Sequence, residues 1–234
     1  MGKMVDFIRP DGAAAPGYLA EAPDLDLQRP PGVVMFEEWW GVDERIKETA
    51  DRLASYGFNV LVPDLFRGRS AATGDEANHL MEGLDFGDAA TQDGVGAARY
   101  LRELGAERVG VMGFCMGGAL ALLDVMHTTE FDAASLWYGY PPPEAGDPSK
   151  ISVPVQGHWA TEDQHFTLAG AEALEQKLRD AGVQYEFHRY SAKHGFYNTG
   201  KPGQGGLGHY HPEHAEAAWR RTVESFERTL RQPD

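Results

Sequence analysis

Short apolar runs alternate with amphipathic segments along most of the chain, and this alternation predicts the secondary structure. The apolar runs have the length and residue types of buried strands. They occupy residues 32–40, 58–65, 107–113, 131–140, 151–160 and 183–190. The amphipathic segments repeat apolar residues at helical spacing, as Ile46, Ala50 and Leu53 do. They predict helices over residues 41–57, 88–104, 117–127, 167–182 and 212–230.

Two segments fall outside this alternation. Residues 9–23 contain the turn dipeptides DG and PG between short apolar stretches, which predicts an antiparallel strand pair at the edge of a sheet. Residues 66–88 form a long polar passage, and such a passage inside a compact domain is usually functional or partly helical. We expect it to border a pocket.

The order of the predicted elements indicates the fold class. Strands that alternate with helices favour an α/β fold, with a mostly parallel central sheet and helices on both faces. No change in composition marks a boundary between domains. Residues 1–234 are therefore expected to form a single domain.

Composition and charge narrow the range of partners and compartments. The formal net charge of −15 argues against nucleic acid, because phosphate binding needs clustered Lys and Arg. No apolar run has the length of a signal peptide core or of a membrane span, so we expect no membrane partner. The single cysteine has no internal disulfide partner, which favours a cytoplasmic location.

The stretch GFCMGG, residues 113–118, joins a predicted strand to a predicted helix. A nucleophile at such a turn has a strained backbone that requires small flanking residues, and Gly113 and Gly117 meet this requirement. The N-terminus of the following helix favours a thiolate and later an oxyanion. An isolated buried cysteine is more often an inert apolar residue, but this setting favours Cys115 as the nucleophile of an enzyme.

The partners of Cys115 are expected in loops after later strands. Asp163 follows the strand predicted over 151–160, at the carboxyl edge where open α/β sheets build their sites, and Glu162 is the alternative acid. His194 occupies the equivalent loop after the strand predicted over 183–190. Its imidazole can accept the Cys115 proton while Asp163 orients the ring.

Four stretches, taken in this order, resemble the dienelactone hydrolases of the α/β-hydrolase superfamily. They are residues 37–66, GFCMGGALAL (113–122), ATEDQHF (160–166) and SAKHGFYN (191–198). The last three contain Cys115, Asp163 and His194 at the positions of the family's Cys, Asp and His. The resemblance extends over about residues 33–230. It implies an α/β-hydrolase fold and the hydrolysis of a lactone or carboxylic ester through an acyl-thioester intermediate, without a cofactor.

The resemblance also assigns residues around the thiol. The family has a glutamate that interacts with the resting thiol, and this position matches Glu38, with Glu37 as the alternative. A carboxylate beside Cys115 opposes thiolate formation. Trp39 and Met116 match the positions whose backbone N–H groups form the family's oxyanion hole.

The substrate-binding positions depart from the family pattern. Family members bind a substrate carboxylate through arginines, one of them four residues after the catalytic histidine, where this chain has Asn198. The other arginine is absent from residues 73–85, and Arg67 and Arg69 are candidates to reach the pocket instead. The sequence therefore predicts ester or lactone cleavage and leaves the physiological substrate open.

Aromatic residues beside these motifs are candidates to line an apolar substrate pocket. Core packing is the alternative for each of them. Together with Asn198, the candidates are Trp39, Trp40, Tyr138, Trp159, Phe166, Phe196 and Tyr197.

Several histidines have a spacing that is found in some metal sites. They are His158, His165, His209, His211 and His214. No second cysteine and no HExxH-type pattern accompanies them, so we expect no metal.

Two other functions compete with the hydrolase interpretation. One is a ligand-binding protein that kept the fold without turnover, and the complete Cys, His and Asp set argues against it. The other is a thiol redox sensor, which lacks a second cysteine in this chain to resolve the oxidised form. The expected partner is a small-molecule ester or lactone, and the expected assembly is a monomer or homodimer.

Overall fold

The computed structural model describes residues 2–23 and 29–231. Within these residues, eight strands form one sheet. Each apolar run of the sequence overlaps one strand, and the N-terminal segment supplies two more. The strands are β1 Lys3–Ile8, β2 Ala14–Ala20, β3 Gly32–Phe36, β4 Asn59–Pro63, β5 Val109–Phe114, β6 Ala133–Trp137, β7 Val155–Ala160 and β8 Tyr185–Tyr190.

The strands lie side by side in the order β1-β2-β4-β3-β5-β6-β7-β8. Neighbours from β4 to β8 run parallel. In contrast, β1 pairs antiparallel with β2, and β2 pairs antiparallel with β4. The predicted mostly parallel sheet, with an antiparallel pair at one edge, is confirmed.

The helices also follow the sequence pattern, with two differences. They are α1 Glu44–Ala54, α2 Gly74–Glu82, α3 Phe86–Asp88, α4 Val95–Glu103, α5 Met116–His127, α6 Leu168–Asp180 and α7 Pro212–Leu230. The helix predicted over 88–104 is divided, because a π-helical segment, Ala89–Gly94, precedes α4. The polar passage 66–88 contains α2, which begins at a capping box formed by Thr73 and Glu76. No helix in the described part of the chain is long and apolar enough to cross a bilayer.

Alternate residues of the central strands face two separate cores. Val34 and Phe36 of β3 pack in the core beneath α2, α4, α5 and α6. Val33 and Met35 pack in the core beneath α1 and α7. All four side chains are fully buried, as expected for a parallel strand covered on both faces. The predicted α/β architecture, with helices on both faces of the sheet, is therefore confirmed.

The parallel strands bring distant parts of the chain to one edge of the sheet. Their carboxyl ends point the same way, so the loops that follow them meet there. Glu38 follows β3, Cys115 follows β5 and Tyr138 follows β6, while Asp163 and His194 follow β7 and β8. Residues up to 156 positions apart in sequence (Glu38 and His194) thus reach a common region.

Candidate active site

Cys115 occupies the single residue between β5 and α5, at a sharp turn of the backbone. Its φ of 55° and ψ of −116° are unusual for a residue with a side chain, and such strain persists only where the surroundings enforce it. The Cys115 N–H donates to the carbonyl of Trp137 at 2.9 Å. A Cβ on Gly113 would lie 2.1 Å from the carbonyl oxygen of Gly117, so the turn requires glycine at the start of the GFCMG motif, as predicted.

Gly139, in the loop after β6, is equally important for this turn. A Cβ at this position would lie 1.8 Å from the carbonyl oxygen of Cys115, because the two backbones pass in direct contact. The sequence analysis did not identify Gly139. The WYGY stretch, residues 137–140, contains a glycine among large aromatic residues, and this contrast is the signal that indicates a close backbone approach.

Cys115, His194 and Asp163 form a continuous chain of polar contacts. His194 Nε2 lies 3.1 Å from Cys115 Sγ, and His194 Nδ1 lies 2.7 Å from Asp163 Oδ2. Asp163 and His194 are buried, whereas Cys115 is partly exposed. The tertiary structure thus brings together the three residues singled out in the sequence, with the sulfur at the end that solvent and ligands reach.

The carboxylate of Asp163 is oriented by the backbone. Its Oδ1 atom accepts hydrogen bonds from the N–H groups of His165 at 2.7 Å and Phe166 at 2.9 Å. The other oxygen is left to contact His194. Glu162, the alternative acid, is exposed and accepts a hydrogen bond from the Ser191 hydroxyl. The contacts therefore select Asp163 as the partner of the imidazole.

The environment of His194 favours its protonated form. Burial alone lowers the pKa of the imidazole, but the negative charges of Cys115 and Asp163 raise it to about 10. The Phe166 ring stacks on the imidazole of His194, with ring centroids 5.5 Å apart. The Tyr138 ring packs edge to face against the same imidazole, with centroids 5.3 Å apart. Both rings pack against the imidazole that contacts the thiol and the carboxylate.

The two glutamates after β3 have different surroundings. Glu38 accepts hydrogen bonds from the Tyr138 hydroxyl, at 3.1 Å, and from the side-chain amide of Asn198. Burial raises the pKa of Glu38, while the Asn198 hydrogen bond and the positive charge of His194 act in the opposite direction. Glu37 is fully buried, and both its burial and the nearby Asp64 raise its pKa. Glu38 is therefore the glutamate that faces the site.

The thiol of Cys115 contacts His194 and not Glu38. Among the described residues, the hydrogen-bond partners of the Glu38 carboxylate are Tyr138 and Asn198. Cys115 lines a different cavity from the one that Glu38 lines.

An apolar cavity of about 550 Å³ opens beside the thiol. Its volume lies within the range of about 300–1,000 Å³ that is usual for small-molecule sites. Its lining residues are Trp39, Met81, Phe86, Cys115, Met116, Ala119, Leu123, Tyr140, Pro141, Pro142, Ala145, His165, Phe166, His194 and Leu207. Trp39 and Met116, the residues matched to the oxyanion hole, are both in the wall next to the sulfur. The passage 66–88 supplies Met81 and Phe86, so the prediction that it borders a pocket is confirmed.

The structure corrects most of the predicted pocket residues. Of the aromatic candidates, Phe166 and Trp39 line the cavity that contains Cys115. Trp159 and Phe196 are fully buried in the two cores. Trp40, Tyr138 and Tyr197, together with Asn198, line a second cavity of about 190 Å³. Proximity to a motif does not show which side of a loop a side chain occupies, and this is why the prediction failed.

Residues that the sequence analysis missed form most of the cavity wall. Ala119 and Leu123 follow the predicted Met116 on one side of α5, and this spacing of three and four residues was the available signal. Tyr140 and the two prolines that follow it form the opposite wall, with the Tyr140 hydroxyl donating to the Thr167 carbonyl.

The candidate cations are engaged by other residues, and of the candidate metal ligands His165 lines the Cys115 cavity. Arg67 binds the buried carboxylate of Asp93 at 2.8 Å, and Arg69 donates to the carbonyl of Phe66; neither lines the Cys115 cavity. His158 is buried and contacts the Tyr190 hydroxyl. The described residues contain no group of three or more His, Cys, Asp or Glu side chains placed to hold a metal ion.

Comparisons with known proteins agree with this architecture. The model of the dienelactone hydrolase family matches residues 14–230. "Protein usf" of Aquifex pyrophilus is 31% identical, with 98% of this chain and 100% of the relative covered. A protein of Aquifex aeolicus (strain VF5) named "Putative carboxymethylenebutenolidase" is 30% identical, with 99% of this chain and 100% of the relative covered.

A solved structure shows the same fold at lower sequence identity. The dienelactone hydrolase-like promiscuous phosphotriesterase P91, from metagenomic libraries, superimposes with a TM-score of 0.80 at 24% identity. The match covers 98% of this chain and 99% of that chain. From the family match over residues 14–230 and the two full-length relatives, we conclude that the chain belongs to the dienelactone hydrolase family.

Proposed function

We propose that this protein hydrolyses a carboxylic ester or lactone, with Cys115 as the nucleophile and an acyl-thioester as the intermediate. The observation that carries this proposal is the contact chain from Cys115 Sγ to His194, 3.1 Å, and from His194 to Asp163, 2.7 Å, beside an apolar cavity. A nucleophile, its base and a residue that orients the base are the three parts that nucleophilic catalysis requires.

In the first half of the reaction, the thiol proton moves to His194 Nε2 and the sulfur attacks the carbonyl carbon. The carbonyl electron pair moves to oxygen. The resulting oxyanion accepts hydrogen bonds from the backbone N–H groups of Trp39 and Met116. Met116 is the first residue of α5, so its N–H has no carbonyl in the preceding turn of the helix. Each donor of this type stabilises a transition state by about 3 kcal/mol.

Collapse of this intermediate breaks the bond to the alcohol oxygen. The leaving alkoxide takes the proton from His194, and the acyl group remains on Cys115 as a thioester. In a lactone, the alcohol stays tethered to the acyl group. Asp163 stabilises the imidazolium in each half-reaction without taking its proton.

Water completes the cycle. His194 removes a proton from the water as its oxygen attacks the thioester carbon, and the same two N–H groups receive the second oxyanion. When the carbon–sulfur bond breaks, the carboxylic acid leaves and the thiolate pairs again with the protonated imidazole. The raised pKa of His194 supports this step, because the imidazolium stabilises the departing thiolate.

Glu38 is proposed to control the thiol between turnovers. The Tyr138 phenol donates to Glu38, and the negative charges of both Glu38 and Cys115 contribute to the raised pKa of that phenol after its burial. Tyr138 therefore lies within reach of both charges. The negative charge of Glu38 is proposed to oppose that of the sulfur in the resting enzyme, which would limit oxidation of Cys115.

The test is the hydrolysis of p-nitrophenyl butyrate by the wild type and by Cys115→Ala. We expect the variant to lose at least about a thousandfold in kcat/KM and to keep the circular dichroism spectrum of the wild type. Acid quenching during turnover should trap one butyryl group on the wild type, and Cys115 is the single cysteine to which it can be attached. Undiminished hydrolysis by the variant would contradict the proposal.

A further inference from the structure

The cavity beside Cys115 has an unusual charge distribution for a protein with 57 charged side chains, 21 basic and 36 acidic. No Lys, Arg, Asp or Glu is among the described residues that line it. Its polar side chains are those of Cys115 and His194, together with His165 and Tyr140. The Tyr140 hydroxyl already donates to the Thr167 carbonyl. The walls away from the thiol are aliphatic, aromatic or proline side chains.

The arginines closest in sequence to the site are engaged by acidic or carbonyl groups. Arg67 forms two hydrogen bonds with the buried Asp93, whose side chain is 2% exposed. Its other terminal nitrogen donates to the Asp64 carbonyl. If the Arg67 guanidinium left this pair, the buried carboxylate of Asp93 would keep only the longer contact with Arg9, 3.6 Å, which is unfavourable. Arg67 is therefore not available to a ligand of Cys115.

The second cavity does contain arginines, but each is paired with a carboxylate. Arg45 pairs with Asp43, and Arg52 forms two hydrogen bonds with Glu216. Glu38 lines the same cavity. An anionic ligand would therefore meet a carboxylate there before it met an unpaired cation.

We infer that the Cys115 site selects neutral esters with an apolar acyl chain and rejects acyl chains that carry a carboxylate. This inference rests on the proposed ester hydrolysis and adds the substrate class. An apolar chain is transferred from water to apolar walls, with a gain of about fourfold in binding for each methylene buried. A carboxylate in the same place loses its hydration and finds no Lys or Arg, and the imidazolium of His194 is already engaged by Cys115 and Asp163. The net charge of −15 also repels anions before they bind.

Two esters of equal chain length test the inference directly. p-Nitrophenyl butyrate and mono-p-nitrophenyl succinate share the leaving group, and the succinate carries its charge at the end of the acyl chain. We expect kcat/KM for the butyrate to exceed that for the succinate by at least tenfold. A ratio below ten, measured in the same buffer, overturns the inference even if Cys115 hydrolyses both esters.

A second measurement is independent of turnover. The chain has a single cysteine, so the rate of its alkylation reports on the cavity alone. N-Propylmaleimide and 3-maleimidopropionate differ in one distal carboxylate, and their rates are each divided by the rate with free cysteine. We expect the neutral reagent to be favoured at least fivefold, and equal normalised rates overturn the inference. If neither ester is hydrolysed, the proposed function fails while this ratio still decides the selectivity.

Met81 offers a gain-of-function variant. Its side chain lies in the cavity wall, on α2, and is partly exposed. Met81→Arg introduces the missing cation and should raise kcat/KM for the succinate relative to the butyrate by at least tenfold. Met81→Gln has a polar side chain of similar size without charge and should leave the ratio within about twofold of the wild type. The same change in both variants, or no change in Met81→Arg, contradicts the electrostatic explanation.

Discussion

The side-chain amide of Asn198 donates a hydrogen bond to the carboxylate of Glu38, and this contact joins the loop after β8 to the turn after β3. The Oδ1 atom of the same amide accepts a hydrogen bond from the Gly200 N–H at 2.6 Å, and its Nδ2 atom donates to the Gly205 carbonyl at 3.3 Å. Asn198 therefore connects the carboxylate of Glu38 to the glycine-rich segment of residues 199–208. The partner of the Glu38 carboxylate at this position is thus a neutral amide, whereas an arginine there would form an ion pair with it.

Replacement of Asn198 by alanine should destabilise the protein. Asn198→Ala removes one donor from Glu38 and leaves the Gly200 N–H without its acceptor, and each unpaired polar group costs about 1–3 kcal/mol. We expect a decrease of about 2–4 kcal/mol in the free energy of unfolding by urea.

A matched control is Asn78→Ala, which removes an asparagine–glutamate contact from the exposed face of α2. There Asn78 donates to Glu82, and water can replace the lost partner. The expected change is within about 0.5 kcal/mol. Equal destabilisation by the two substitutions would show that the contacts of Asn198 have no special importance.

The contribution of Asp163 to catalysis can be separated by mutation from that of its neighbour Glu162. Asp163→Asn keeps the size of the side chain but removes the charge that stabilises the protonated imidazole and selects its tautomer. We expect kcat for p-nitrophenyl butyrate to fall about a thousandfold or more. The pH profile should change as well, because the pKa of His194 loses one of the contributions that raise it to about 10.

Glu162→Gln is the control for that substitution. The exposed Glu162 contacts the Ser191 hydroxyl and not the imidazole, so its kcat should stay within about twofold of the wild type. If Glu162→Gln were the more damaging change, the assignment of the acid would be reversed.

Gly139 should tolerate no side chain. In Gly139→Ala, the new Cβ would lie 1.8 Å from the Cys115 carbonyl oxygen, so the nucleophile turn or the loop after β6 must move. We expect a loss of about 3 kcal/mol or more in stability, together with a large fall in kcat/KM. Gly83→Ala is the comparison, since its Cβ would have a nearest neighbour at 3.6 Å, an ordinary contact. A fully active, stable Gly139→Ala protein would contradict the close approach.

Asp124, on α5, is expected to make the stability of the protein depend on pH. It is fully buried against Gly94 of the π-helical segment, and burial followed by the charge of Asp93 raises its pKa well above the usual value. The unfolded chain releases this proton at a lower pH than the folded chain. Stability therefore falls as the pH rises from the unfolded pKa toward the folded pKa, by up to about 1.4 kcal/mol per pH unit.

The variant Asp124→Asn should lose this dependence. Its free energy of unfolding should fall less between pH 5 and pH 8 than that of the wild type, measured by urea denaturation at both values. Asp6→Asn, at an exposed position of β1, serves as the control and should keep the wild-type difference. An unchanged pH dependence in Asp124→Asn would show that Asp124 is ionised in the folded protein.

The sequence analysis located the catalytic candidates because they depend on local patterns. Cys115 lies between an apolar run and an amphipathic segment, and Asp163 and His194 each follow an apolar run. Strand and helix order then places all three at one edge of the sheet. The pocket residues could not be located in this way, since Phe166 and Trp159 both border a motif but one faces the cavity and the other the core.

The order of strands and helices, the glycines around Cys115 and the chain positions of its partners can be predicted from the sequence, because hydrophobic periodicity and turn residues act over a few positions. The contacts of Glu38 with Asn198 and Tyr138, the close approach of Gly139 to Cys115 and the lack of Lys and Arg among the described residues of the cavity wall follow from the packing of distant loops. These features depend on the side to which each loop turns its side chains. That choice is made when separate loops pack against one another, and no local pattern records it.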